Sequence, residues 1–145
     1  MPKTKLTKKT KKKRLPATKG ISESNLLKLR REVVFKIFDD CCFFCGQHKF
    51  NVPLEDHHPI HRKSLLTRYD WRNAILVCKY VCHEYAESPT GKAKIAQYQI
   101  QNNFMDYLQE RTMTTSKDWL AKQGITKEEF LKSMYDDLKK KLSEF

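Results

Sequence analysis

The sequence predicts a small α+β protein, in which two short strands and a helix gather around closely spaced cysteines, with one helix before them and several after. Three observations predict it. Four of the five cysteines fall into two tight pairs, Cys42-x2-Cys45 and Cys78-x3-Cys82. Two short extended stretches sit between and beside those pairs. Apolar residues at helical spacing precede Phe38 and follow Gly91.

The first helix is expected from Asn25 to Phe38, capped by Ser22 or Ser24, with Leu26, Leu29, Val33 and Ile37 on one face. Val52–His58 reads as a first strand and Ala74–Val77 as a second, buried one. The intervening Pro59–Arg72 is irregular and rich in Arg and Lys, and Lys79–Glu87 reads as a short helix. Lys92–Arg111 is expected to be helical. Ser116 can cap another helix that stops at Gly124, and Thr126 with Glu129 forms a capping box for a last one. Three segments follow: a basic tail over 1–20, a compact unit over 21–91 and a helical extension over 92–145.

With a mean hydropathy of −0.72, the core is modest, and a chain this small often supplements it with a metal or disulfides. No leader or 18-residue apolar stretch is visible, so the chain is expected to be soluble and cytoplasmic, with no membrane partner. In that setting paired cysteines favour metal over disulfides. Four thiolates, from Cys42, Cys45, Cys78 and Cys82, satisfy a structural zinc ion, and Gly46 relieves the turn after the second ligand. Cys41 offers a second register for the first pair. A redox dithiol at Cys42 and Cys45 is the competing use, but no βαβ context accompanies it.

Between the cysteine pairs stands Glu55-Asp56-His57-His58-Pro59-Ile60-His61-Arg62, and His83 follows the last cysteine directly. A histidine alone is usually structural. Clustered, and bracketed by metal-ligand cysteines, the histidines favour a functional role over a structural one.

The order Cys-x2-Cys-Gly, Asp-His-His, Arg-x-Asp-x-x-Asn (Arg68 to Asn73), a short apolar strand and Cys…Cys-His resembles the zinc-knuckle HNH endonucleases, also called His-Me or ββα-metal fingers. It is similar to the NinG (Rap) recombination nucleases of phages and, more distantly, to junction resolvases of the endonuclease VII type. The resemblance covers about residues 30–90. It implies a ββα-metal finger that hydrolyses DNA phosphodiester bonds with a histidine base and a divalent cation, Mg2+, Mn2+ or another, in a bacterial or phage-infected cell. Carried onto this chain, it makes His58 the base, His57 and His83 cation ligands, and Asn73 the organiser of the loop between them. A second register makes Asp56 the ligand and His57 the base. Glu87, one helical turn beyond His83, is a further candidate ligand. His83 stands one position further from Asn73 than the family pattern usually has.

Arg62, Arg68 and Arg72 are candidate phosphate contacts, although pairing with Asp70, Glu84 or Glu87 is a competing use for one of them. Of the 29 basic residues, nine lie in the first twenty positions, which hold none of the 17 acidic ones. Such a block is expected to be disordered and to add salt-sensitive affinity for DNA through residues such as Lys11, Lys12 and Lys13. The C-terminal helices are a candidate surface for a homodimer or a protein partner. A non-catalytic zinc-knuckle protein that binds nucleic acid is the alternative to the nuclease.

Overall fold

The computed structural model describes residues 21–145. The expected tail, with Lys11, Lys12 and Lys13, lies outside them. Helix α1 (Glu23–Ile37) begins at Ser22, whose hydroxyl accepts from the Asn25 N–H. Strand β1 (Leu54–His57) follows the cysteine turn. A single-turn helix α2 (Leu65–Arg68) interrupts the stretch expected to be irregular. Strand β2 (Ile75–Cys78) leads into α3 (Val81–Ala86). Four more helices complete the chain: α4 (Pro89–Gln101), α5 (Met105–Thr112), α6 (Ser116–Gln123) and α7 (Lys127–Leu142).

The two strands pair antiparallel, with Leu54 opposite Cys78 and His57 opposite Ile75. All of β2 is buried, whereas β1 is buried only at its two ends, Leu54 and His57, with Glu55 and Asp56 half-buried between them. Two apolar clusters form the interior. One gathers β2, Leu54, Val34, Ala86 and Ile95 around the cysteines. The other packs Leu26 and Val33 of α1 against Leu66, Tyr69 and the Phe130, Leu131, Met134 and Leu138 stripe of α7. Each fully buried Leu or Val there contributes roughly 1.5–3 kcal/mol. α7 therefore covers α1, and the C-terminal helices are part of the same packed body.

Two expectations change. The helix expected to run from Lys92 to Arg111 breaks at Asn102–Asn103, where Asn103 adopts a left-handed φ of 62°. Asn tolerates that region better than most residues, and the turn lets Phe104 reach Trp71 and Tyr98. The expected boundary at residue 91 falls inside α4, because Ser88 caps that helix and Pro89 fills its first turn. Gly91 permits the close approach of α4 to α3: a Cβ there would meet the Tyr85 carbonyl oxygen at 2.0 Å. Among the described residues, no helix is long and apolar enough to cross a membrane.

Candidate metal centres

The sulfurs of Cys42, Cys45, Cys78 and Cys82 lie within 4.8 Å of one another. Tetrahedral zinc with Zn–S bonds of about 2.3 Å needs sulfurs roughly 3.8 Å apart, so the cluster fits with small adjustments. The geometry comes from a tight turn and a strand end. The Gly46 N–H donates to the Cys42 carbonyl at 2.9 Å, with Gly46 at φ 75°, and the Phe43 N–H donates to Leu76 of β2 at 2.8 Å. Cys78 ends β2, and Cys82 lies on α3. Cys41 pairs with His48 in an isolated bridge and stays outside the cluster.

The thiols are electrostatically uneven. Burial acts to raise Cys42, but backbone N–H groups of Cys45, Cys78 and Phe44 outweigh it, and its pKa falls to about 7. Cys78 is pushed up, and Cys82 to about 11, by burial and by the neighbouring sulfurs. Crowded thiols resist sharing negative charge, and a bound cation reverses that resistance. Such a cluster could hold a metal such as zinc.

A second group forms at the other end of the strand pair, where His57 lies opposite Ile75. Ligand atoms of His57, His83 and Glu87 also lie within 4.8 Å of one another. The rings of His57 and His83 are 5.4 Å apart, and His57 Nε2 is 3.7 Å from Glu87 Oε1. His83 and Glu87 sit one turn apart at α3, which aims both at the end of β1. Lys79 and Tyr80 form the turn from β2 into α3, and Tyr80 and Val81, the first residue of α3, are exposed.

Strand alternation decides the neighbours. Glu55 and His57 share one face of β1, and the Glu55 carboxylate accepts from His83 Nδ1. A carboxylate cannot donate, so Nδ1 carries a proton, and in the neutral ring Nε2 then keeps the lone pair. Asp56 faces the other way. Arg30 Nη1 lies 2.6 Å from its Oδ2 and Arg31 Nη1 lies 3.3 Å from its Oδ1, so Asp56 does not join the His57 group. Glu55 was missed in the sequence, although period-two alternation from His57 marks it.

His58 lines the same cleft, and its Nε2 lies 3.2 Å from the Arg68 carbonyl. Because a carbonyl only accepts, Nε2 holds the proton and Nδ1 is the basic atom. Burial, then the positive charge of Arg30, lowers the His58 pKa to about 3. Burial also lowers His57, partly opposed by Glu87. Both rings are neutral at pH 7.

Asn73 is fully buried and closes the loop between the strands. Its Oδ1 accepts from the Ile60 N–H at 2.9 Å, and its Nδ2 donates to the carbonyls of Ile60 at 2.9 Å and Thr67 at 3.3 Å. The buried Arg30 adds a second tie, donating to the Asp70 carbonyl at 3.1 Å and to the Asn73 carbonyl.

The cleft has a volume of about 620 Å³. Of the three arginines expected around it, Arg62 lines it, joined by Lys28 and Arg31 of α1, which the sequence had not marked. Arg68 is turned into its own loop, donating to the Arg62 carbonyl at 2.7 Å and to Glu23 at 3.1 Å. Arg72 takes the competing use and pairs with Asp70 at 2.9 Å and Asp137 at 3.2 Å, stacked between Trp71 and Tyr107. Comparison with protein families, with characterised proteins and with solved structures finds no match to this chain.

Proposed function

We propose that this chain is a cation-dependent DNA nuclease of the HNH type, with a structural zinc ion in the four-cysteine cluster and a catalytic cation held by His57, His83 and Glu87. The observation that carries the reading is the convergence of those three side chains in an open cleft beside a neutral His58. A non-catalytic zinc knuckle gives no reason for such a second group.

The donor set is two imidazoles and a carboxylate, softer than Mg2+ prefers, so Mn2+ or Ni2+ is expected to serve better. A cation there supplies charge relief to the phosphate and the leaving oxygen. With a pKa of about 3, His58 is a weak base until the negative charge of the phosphate in the cleft raises it. It then takes the proton from the attacking water at Nδ1, while the Arg68 carbonyl holds the ring by Nε2–H. Glu55 keeps His83 in the tautomer whose Nε2 is a ligand. Arg62, Lys28 and Arg31 line the path of the polyanion. Asp56, committed to Arg30, favours the register in which His57 is the ligand and His58 the base.

The test incubates full-length protein with supercoiled plasmid and a labelled four-way junction in Mg2+, Mn2+ or Ni2+, beside His58→Ala and His57→Ala, with zinc measured on each. Cation-dependent cleavage, lost in His58→Ala while about one zinc is retained, is the expected outcome. DNA binding without cleavage under every cation sinks the nuclease and leaves the zinc-knuckle binding protein.

A further inference from the structure

A groove of about 460 Å³ lies between the Ile60–Leu65 loop and the turn that joins α5 to α6. His61 lines both this groove and the cleft of the cation group, so the two adjoin. Lys63 and Ser64 form one wall, and Thr114, Thr115 and Ser116 form the other. No carboxylate of the described residues lines it, whereas Glu55, Asp56 and Glu87 line the cleft. Lys63 is exposed, and among the described residues its ammonium has no ion-pair partner, in contrast to Arg68 and Arg72. Arg62, the residue before it, lines the cleft instead, so consecutive cations on one loop serve two adjacent cavities. Across the groove, Thr115 Oγ1 accepts from the Asp118 N–H at 3.1 Å, which leaves its own O–H to donate. Ser64 precedes α2 without a side-chain cap hydrogen bond. A wall of one ammonium and several hydroxyl donors, with no acid, fits an anion rich in acceptors.

We infer that this groove is a second phosphate subsite, which holds a backbone phosphate further along the strand being cut. This rests on the nuclease reading. The strand passes His61, with one phosphate at Arg62 and the cation group. The next contact is made by Lys63 and the hydroxyls of the α5–α6 turn. That turn lies outside the stretch that resembles the endonucleases, so the C-terminal helices form half of the substrate path. Contacts of this kind position a strand without reading its sequence, and each neutralised phosphate steepens the dependence of binding on salt.

The experiment measures binding of full-length protein to a short labelled DNA duplex by fluorescence anisotropy in Ca2+ over a series of salt concentrations. Lys63→Gln is expected to flatten the slope of log affinity against log salt by about one. Lys122→Gln, an exposed lysine in the last turn of α6 and outside the groove, is expected to keep the wild-type slope. Ser116→Asp is expected to bind about tenfold more weakly, because it sets a like charge against the phosphate. It should melt no lower than wild type, since an acid in the first turn of a helix is favourable. A wild-type slope for Lys63→Gln, an equal fall for Lys122→Gln, or wild-type affinity for Ser116→Asp overturns the subsite. Cleavage in Mn2+ is scored separately. The expected binding pattern without cleavage removes the nuclease and keeps the subsite, whereas cleavage without that pattern does the reverse.

Discussion

Arg30 and Asp56 form an ion pair across the α1–β1 interface, with Nη1 and Oδ2 2.6 Å apart and the arginine completely buried. Burial, helped by Arg62, brings the Arg30 pKa down to about 10 even though Asp56 and Asp70 raise it, so those carboxylates are what keep the charge inside. Arg30→Met removes the charge, leaves Asp56 with the half-exposed Arg31 alone, and strips the carbonyls of Asp70 and Asn73 of this donor. The expected loss is about 3–5 kcal/mol in urea unfolding. A variant as stable as wild type would show that water replaces the arginine.

The cysteine cluster leads to a different expectation. Zinc binding free energy is folding free energy in a chain with so modest a core. Stripping metal with a strong chelator is expected to abolish cooperative thermal unfolding, and Cys82→Ser to lower zinc content to near zero. Cys41→Ser is expected to keep one zinc per chain, because Cys41 lies outside the cluster. Zinc loss in Cys41→Ser and retention in Cys42→Ser would move the first pair to the other register.

Glu55 acts on the second group through His83. Glu55→Gln keeps the shape but exchanges a charged acceptor for a neutral amide, so His83 loses its preference for the Nδ1–H tautomer. Affinity for Mn2+, read by calorimetry on zinc-loaded protein, is expected to fall about 10–100-fold. The His83 ring nitrogen shifts should change with it. Unaltered affinity and shifts would make Glu55 a bystander.

Gly91 is held against the Tyr85 carbonyl. Gly91→Ala is expected to cost about 1–3 kcal/mol by pushing α4 off α3, although alanine is the better helix former. Equal or higher stability in thermal melts would show that the two helices separate freely.

Glu23 accepts a hydrogen bond from Tyr69, which chiefly lowers its pKa below the ordinary 4.5, helped by Lys127 and Arg68. A depressed acid stabilises the fold above its unfolded pKa and loses that contribution as pH falls through the folded value. The stability gap between wild type and Tyr69→Phe is therefore expected to be widest above pH 4.5 and to narrow below it. A gap that does not change with pH in denaturant titrations would assign the whole effect of Tyr69 to packing.

The local signals were legible wherever a few neighbouring residues decide the outcome. Ser22 capped α1, Gly124 ended α6, and the Thr126–Glu129 capping box opened α7. Where contacts distant in sequence compete, the reading fell short. Arg68 and Arg72 look like phosphate contacts beside His58, yet Glu23 and Asp137, remote in the chain, pair with them. Lys92–Arg111 has an unbroken helical pattern, but packing of Phe104 on Trp71 sets a turn at Asn103.

The sequence by itself determined which residues could ligate a metal, because two cysteine pairs and a histidine cluster have a chemistry independent of their surroundings. Period-two and helical spacing then determined which of them share a face: Glu55 with His57, and His83 with Glu87. Only the tertiary structure decided that these two faces meet. It also decided that Asp56 turns to Arg30 instead, since a carboxylate settles on whichever cation is buried beside it, and that partner comes from a helix 26 residues earlier in the chain.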